Sequence, residues 1–454
     1  MPALLFHSTN RQSPAVNLRE ALLAGQAPDR GLYFPEKFPR LTPGEIAAFA
    51  GLPYHEIAFR VLAKFTAGLI PDADFAAMCR EAYNFDIPIE KIYGRVHLMR
   101  LDQGPTASFK DFAAQMMARL FGRFLSEEGK QLTILTATSG DTGAAVAHAF
   151  HKIPGIQVIV LFPLAEVSVS QRKLMTTLKD NVRTVAIDGK FDDCQAMVKR
   201  AFADPALSHI PLSSANSINI GRLLPQSVYY FYAASRLAKP GEPIVFSIPS
   251  GNFGDMMGSV VAREMGLAVK KIIASVNDND AFPKFLATGN YRKICPSRNS
   301  LSNAMNVGHP SNLARLVAVY GGQMDETGKI HKQPDLAAMR RDVFSTSVTD
   351  ERTVAGVRDF WNRFQLLLEP HGAVAWQGFQ DWLATEPLGD APAVIVETAN
   401  PAKFPEEVEK VVGWPPDVPP AMSAAIQQPE DFDHLDADYE KFKSYLLARH
   451  PAGL

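Results

Sequence analysis

Leu101-Asp102-Gln103-Gly104-Pro105-Thr106-Ala107-Ser108-Phe109-Lys110-Asp111-Phe112 sets one lysine at the start of a predicted helix, just after a Gly-Pro turn. Ser108, with Asp111 three residues on, reads as a variant capping box and puts Lys110 about two residues inside the helix. Downstream, Phe109, Phe112, Ala113, Met116, Met117, Leu120 and Phe124 recur at helical spacing, so a strongly amphipathic helix is predicted. A helix N-terminus carries partial positive charge, which disfavours an ammonium. Lys110 is thereby biased toward the neutral amine, the form a Schiff base needs. A lone lysine is more often a solvated residue that happens to start a helix, so the surrounding chain decides between the two readings.

Outward from this segment the pattern alternates. Short apolar, β-branched runs at Leu132–Thr138, Ile156–Phe162, Val182–Ile187, Ile244–Ile248, Ile272–Val276 and Ala393–Glu397 read as strands. Helices are predicted from Asp141, over Ser168–Leu178 and from Phe191, with others after the 244 and 272 strands. Such alternation argues for an α/β fold with parallel sheets covered by helices. Residues 1–95 read as mostly helical, with a turn at Gln26-Ala27-Pro28-Asp29-Arg30-Gly31. Residues 414–434 are Pro-rich and irregular, and a last helix is expected over about 436–449.

Two loops follow a strand and open a helix: Thr138-Ser139-Gly140-Asp141-Thr142-Gly143 and Pro249-Ser250-Gly251-Asn252-Phe253-Gly254-Asp255. Ligands of open α/β sheets sit at strand carboxyl ends. Helix N-termini there offer free N–H groups to anions, and small residues let the backbone come close. Neither loop has the spacing of a dinucleotide fingerprint or a P-loop. Two separate anion sites point to two phosphates, or a phosphate and a carboxylate. A third cluster, Asn216-Ser217-Ile218-Asn219-Ile220-Gly221-Arg222, gathers amides, a hydroxyl and a guanidinium suited to phosphate. A fourth, Glu397-Thr398-Ala399-Asn400-Pro401-Ala402-Lys403-Phe404, places the Thr398 hydroxyl just past a strand.

Composition narrows the classes of function. The 454 residues allow two or three domains. A net charge of −2 gives no electrostatic case for nucleic acid or a membrane surface as partner. No apolar stretch is long enough to span a bilayer, and the start Met-Pro-Ala-Leu-Leu-Phe-His-Ser lacks the basic region of a signal peptide. Three scattered cysteines suggest neither a disulfide framework nor a metal knuckle, and fit a reducing cytoplasm. His148 and His151 lie three apart on one predicted helix, but no carboxylate or cysteine joins them in sequence, so no metal site is expected.

Taken in order, these segments resemble the threonine synthases, pyridoxal-phosphate enzymes of the tryptophan-synthase-β fold type. The resemblance runs nearly the whole chain and also rests on Ala27–Glu36, Leu301-Ser302-Asn303-Ala304-Met305 and Glu369-Pro370-His371. It implies two open parallel-sheet αβα domains of fold type II plus a mainly helical N-terminal domain. The expected division is 1–95 for the N-terminal domain, 96–125 with 226–412 for a large cofactor domain, 126–225 for a small substrate domain, and 413–454 for a C-terminal extension. By resemblance Lys110 is the Schiff-base lysine and proton shuttle. Ser250, Gly251, Asn252, Phe253 and Gly254 match the loop for the phosphate of pyridoxal 5′-phosphate. Thr398 matches the hydroxyl facing the pyridine nitrogen, which implies that the ring need not be fully protonated. Asp141 matches a residue near the cofactor's phenolic oxygen. Ser139, Gly140 and Thr142 match the loop for the substrate carboxylate, and Asn216, Ser217 and Arg222 the grip on the substrate phosphate. The implied reaction is O-phospho-L-homoserine plus water to L-threonine plus phosphate, the last step of threonine biosynthesis. A cytoplasmic monomer is expected.

Some positions depart from the commonest relatives. Gln103 and Asn400 stand where histidine is expected, Asn10 where arginine is, and Lys179-Asp180 where small residues are. The chain lacks the long N-terminal extension of the allosteric plant relatives, so no S-adenosylmethionine control is expected. Two alternatives stay open: a dehydratase that uses the same cofactor for β-elimination, and a binding protein without turnover. A dehydratase has no use for a second phosphate site at Asn216–Arg222.

Overall fold

Helix Lys110–Glu128 lies buried among other helices, and its burial goes well beyond one stripe. The computed structural model describes residues 4–450. Residues 1–3, part of the start read as leaderless, and residues 451–454 lie outside them. Every side chain from Asp111 to Ala118 is buried, as are Leu120, Phe121, Phe124 and Leu125. The expected amphipathic helix is present, with Arg119 and Arg123 half-buried and Glu127 exposed on its polar side, but its buried side is wider than the predicted stripe. It packs against helices Asp141–Phe150 and Asp72–Ala82 and ends where Gly129 takes a left-handed φ of 61°.

The capping reading at its start is corrected. Lys110 is the first helical residue, Phe109 precedes it in helical conformation, and no side chain caps the helix. Asp111 turns back instead, accepting from the Thr106 N–H at 2.8 Å and the Thr106 hydroxyl at 2.7 Å. Gly104 makes room for it, since a Cβ there would lie 2.5 Å from an Asp111 oxygen. The Ser108 hydroxyl is left buried without a partner.

Two main sheets carry the architecture. The larger has six strands in the order Val343–Ser347, Val269–Val276, Ile244–Pro249, Ala393–Glu397, Val96–Arg100 and Ile89–Tyr93. All pairings are parallel except the last, an antiparallel edge. Its central strands Ile244–Pro249 and Ala393–Glu397 are buried throughout, which their continuous apolar runs require. The smaller sheet has five parallel strands: Asp433–Asp436, Val182–Asp188, Ile156–Pro163, Leu132–Ala137 and Leu212–Ser213. Its outer strand comes from the C-terminal segment. Helix Tyr439–Arg449 then lays Tyr439, Phe442 and Leu446 on the small sheet's core.

The N-terminal region is mainly helical, but it also holds a two-stranded antiparallel sheet, Phe6–Ser8 with Tyr33–Pro35. The turn at residues 27–31 is built on Asp29, which accepts from Ser8, Gln12, Ser13 and Gly31. Among the described residues no helix is long and apolar enough to cross a membrane.

Candidate active site

Parallel strands release their loops on one side, and here five such ends converge. On the large sheet, Val96–Arg100, Ala393–Glu397 and Ile244–Pro249 are consecutive neighbours. They lead to Lys110, to Thr398 and to the Ser250–Gly254 loop, respectively. On the small sheet, Leu132–Ala137 and Leu212–Ser213 are neighbours, leading to Ser139–Thr142 and to Asn216–Arg222. Backbone bonds stitch the first two ends together: Phe109 N–H donates to Thr398 O at 2.8 Å and Asn400 N–H to Ala107 O at 3.0 Å.

The Lys110 amine makes no hydrogen bond among the described residues. Its nearest carboxylate oxygen is Asp141 Oδ2 at 3.7 Å, and it lies 4.6 Å from the Phe109 ring centre. Burial pushes its pKa down. Asp141 opposes that shift and Glu369 opposes it more weakly, while Lys403 and Arg222 add to it. The bias toward a neutral amine is therefore present, but its main cause is desolvation rather than the helix terminus.

Asp141 is already engaged elsewhere. Its Oδ1 accepts from Lys403 Nζ at 2.7 Å and Gln171 Nε2 at 3.0 Å. Burial pushes this carboxyl up, but Lys403 and Lys110 outweigh it and hold it well below the usual carboxylate range. Lys403 is fully buried and also donates to Thr106 O at 2.7 Å. Sequence reading quoted Lys403 and gave it no role; its only signal was a lysine in an otherwise apolar Pro-Ala-Lys-Phe turn. Removing one partner of a buried ion pair typically costs about 3–5 kcal/mol. Lys403→Met is expected to lose stability on that scale, read as a lower urea midpoint.

The loop from Thr138 is shaped by its own hydroxyl. Thr138 Oγ1 accepts from Gly140 N–H at 2.9 Å and Gly143 N–H at 2.7 Å. That leaves the Asp141 and Thr142 N–H groups at the start of helix Asp141–Phe150 for an anion. Gly140 has φ 127°, and a Cβ there would meet the Gln171 side chain at 2.8 Å.

The second loop, Ser250–Gly254, opens helix Gly254–Glu264 through Phe253 at a left-handed φ of 62°. Gly251 packs where a Cβ would lie 2.7 Å from Met305 Cα. Asn252 spends its side chain inside the protein. Its Nδ2 donates to Ser217 Oγ at 2.7 Å, and its Oδ1 accepts from the Ser311 N–H and hydroxyl at 2.6 and 2.9 Å. What Asn252 leaves for a ligand is its backbone N–H. Ser217 Oγ accepts from both Asn252 and Asn312, which frees its own proton for an anion.

Two buried arginines differ sharply. Arg315, which sequence reading missed, gives its protons to Tyr33 O, Ser217 O, Ile218 O and Asn312 Oδ1. It holds the Ser217 loop in place. Arg222 donates to Ala215 O at 2.6 Å, while its Nε is buried without a partner. Burial draws its pKa down to about 10, so the guanidinium stays charged near neutrality. Asn216 reaches the neighbouring strand end, donating to Ala137 O at 3.0 Å.

Two of the departures from the resemblance meet on one carboxylate. Gln103 Nε2 donates to Asp102 Oδ1 at 2.7 Å and Asn400 Nδ2 to Asp102 Oδ2 at 2.9 Å. Asn10 lies elsewhere, donating to Asp29 O and Glu326. Of the histidine pair only His148 lies on helix Asp141–Phe150; His151 follows its end, with Nε2 3.0 Å from Asp180. His148 faces Gln115 instead. Among the described residues no group of three or more metal-ligating side chains comes together.

An amine without a hydrogen bond, two helix N-termini and an unspent guanidinium match an aldehyde-bearing phosphate cofactor and a second anionic ligand. Comparison with known proteins agrees. A family of pyridoxal-phosphate dependent enzymes matches residues 85–399, the threonine synthase N terminus matches 5–83, and the threonine synthase C-terminal family matches 372–446. The threonine synthase of Pseudomonas aeruginosa is 37% identical over 97% of both chains. That of Escherichia coli is 37% identical over 95% of this chain and 96% of its own. The PLP-bound threonine synthase of Brucella melitensis superposes with a TM-score of 0.91 at 35% identity, covering 99% of this chain and 100% of its own. A fungal L-serine ammonia-lyase, at 13% identity and a TM-score of 0.54, shares the fold alone. With both terminal families and the catalytic family matched along one chain, and full-length relatives above 30% identity, this chain belongs to the threonine synthase family.

Proposed function

We propose that the chain converts O-phospho-L-homoserine and water to L-threonine and phosphate, with pyridoxal 5′-phosphate as cofactor. The observation that carries this reading is Arg222: a buried, charged guanidinium with an unpartnered Nε, whose charge bears on the Lys110 amine, on a segment that meets the Ser250–Gly254 loop through Ser217 and Asn252. A dehydratase of serine or threonine needs one phosphate site, whereas this chain has the groups for two.

Lys110 is the amine that bonds the cofactor. The Ser250–Gly254 loop would hold its phosphate at the start of a helix through the N–H groups of Gly251, Asn252, Phe253 and Gly254, because the Ser250 N–H is spent on Ser275 O at 2.7 Å; Thr398 would face its pyridine nitrogen and Asp141 its phenolic oxygen. When bound, the cofactor supplies an electron sink for the electrons left as protons leave the substrate's carbons. Ser139, Gly140 and Thr142 orient the substrate carboxylate. Lys110 Nζ, once released, moves the protons at the α and β carbons. Asn216, Ser217 and Arg222 hold the phosphate on the γ oxygen and stabilise its charge as that bond breaks. Protons are returned to the γ carbon, which becomes the methyl group, and to the α carbon, while the oxygen of water adds at the β carbon. The large and small sheets, each with its helices, act as two lobes around the cleft, with the described part of the C-terminal segment, residues 413–450, tied to the smaller.

The test is the purified protein with pyridoxal phosphate and O-phosphohomoserine. Threonine and phosphate in equal amounts are expected. Phosphate without threonine, or 2-oxobutyrate as the main product, would overturn the reading.

A further inference from the structure

Two lysines share one buried carboxylate, and they share it unequally. Lys403 Nζ lies 2.7 Å from Asp141 Oδ1 and donates to Thr106 O at 2.7 Å. Lys110 Nζ lies 3.7 Å from Asp141 Oδ2 and makes no hydrogen bond among the described residues. Gln171 adds a second donor to Asp141 Oδ1 at 3.0 Å. The Lys403 backbone is held as well. Its N–H donates to Asn400 O at 3.0 Å, and its O accepts from the Ser168 hydroxyl at 3.1 Å. Lys403 is fully buried, so its ammonium has one fixed place.

One carboxylate balances one ammonium. A charge on Lys403 is met by a carboxylate and a carbonyl, whereas a charge on Lys110 would be a second buried cation with no acceptor in hydrogen-bond reach. Burial pushes the Asp141 carboxyl up, and of the influences that bring it down Lys403 is the largest, ahead of Lys110. The other charged groups around Lys110 do not supply the missing partner. Arg222, ahead of helix Ser227–Leu237, is a further cation, and Glu369, at the start of helix Pro370–Leu383, favours the ammonium more weakly than Asp141 does. Asp255, on helix Gly254–Glu264, feels the Lys110 charge but gives its Oδ1 to the Tyr229 and Tyr230 hydroxyls. Asp111, next along the helix of Lys110, is spent on Thr106. His371 bears on Asp141.

We propose that Lys403 is a positioning residue for Lys110: it takes Asp141 as its own counter-ion and so leaves Lys110 as the neutral amine that bonds an aldehyde. This rests on the reading above that Lys110 bonds the cofactor. The lone pair of the neutral amine forms the new bond to the aldehyde carbon, and the aldehyde oxygen leaves as water with the two amine protons. An ammonium has no lone pair to give. Without Lys403, Asp141 would face Lys110 alone, and the two would form an ion pair that holds the proton where the bond must form. Which lysine stays charged and which reacts is thus set by which one reaches Asp141 and Thr106 at hydrogen-bond distance.

The readout is the pH midpoint of bonding: the rate at which a visible band grows when pyridoxal phosphate is added to the unloaded protein, followed across pH. In Lys403→Met the midpoint is expected to rise by about 1–3 pH units, the usual effect of a close opposite charge. A midpoint at the wild-type value would overturn the proposal. That variant leaves a buried carboxylate without its cation and is expected to lose stability, so Lys403→Met combined with Asp141→Asn is the second test. Replacing both members of a buried pair costs far less than removing one. The double variant is expected at the wild-type midpoint, because a neutral pair has been taken away. A fall of about one pH unit or more would show Asp141 serving as counter-ion to Lys110 and would overturn the proposal. Borohydride reduction and peptide mapping then identify the lysine that carries the cofactor. A label on Lys110 is expected, and with it a failed midpoint test counts against the role of Lys403 alone. A label on Lys403 would overturn the reading of Lys110 and the proposal with it.

Discussion

Lys110→Ala yields a folded, colourless protein that no longer forms threonine. The loss has two parts. Proton transfer by a positioned group is worth about 10²- to 10⁴-fold in rate, and removal of the amine proposed to bond the cofactor adds to that. A fall of at least about 10³-fold in kcat is therefore expected. The fold should survive, because the Lys110 amine makes no hydrogen bond whose partner would be orphaned. Its one close carboxylate, Asp141, keeps Lys403 and Gln171 on its other oxygen. The measurements are visible absorbance after adding pyridoxal phosphate, bleaching by borohydride, turnover and urea midpoint. A variant that stays yellow and turns over would remove Lys110 from its role.

The same residue fixes the sign of a pH dependence. Burial, the largest influence, lowers the Lys110 pKa, and Lys403 and Arg222 work the same way against Asp141 and Glu369. The reactive neutral amine grows as pH rises through that lowered value. Cofactor loading of the free protein should thus reach its plateau at lower pH than it would for an exposed lysine.

What was legible in the sequence was local. Strand, glycine and helix start fall within about ten residues of each other, so the loops at 138–143 and 249–255 could be read as anion sites from spacing. Parallel strands then bring such ends together, which is why the convergence of Lys110, Thr398 and both loops followed from the α/β pattern. Roles set by distant partners were not legible. Nothing near Lys403 announces Asp141, and Arg315 shows no link to Ser217 until the chain folds. Asn252 reads as a ligand-binding amide, yet its side chain belongs to Ser217 and Ser311. The cap at Ser108 failed for a related reason: Asp111 found Thr106, a better-placed pair of donors, and the helix began without a side-chain cap. The strand at Asp433–Asp436 carries mostly polar residues because it is a half-exposed edge, so it showed no apolar run.

Arg222→Met should separate stability from function. In the unliganded protein the guanidinium is buried, donates to one carbonyl and carries an unpartnered Nε. Asp111 is the acidic group whose field favours its charge, but no salt bridge forms between them. A buried charge so thinly compensated costs stability, and an apolar side chain of similar length removes that cost. The urea midpoint of Arg222→Met is expected to match or exceed the wild type. Catalysis should move the other way. Charged hydrogen bonds to a phosphate dianion are strong, and losing one donor that stabilises developing charge typically costs about 10²- to 10³-fold. The kcat/KM for O-phosphohomoserine should fall by at least that much. Both kcat and KM should be affected, because the phosphate is held before its bond breaks and leaves with more charge. Arg315→Met is the contrasting control. It strands three carbonyls and an amide oxygen and should lower the midpoint, with activity falling through the displaced Ser217 loop. If Arg222→Met instead destabilises the protein and leaves kcat/KM near wild type, the guanidinium is a structural residue and the second phosphate site must be sought elsewhere.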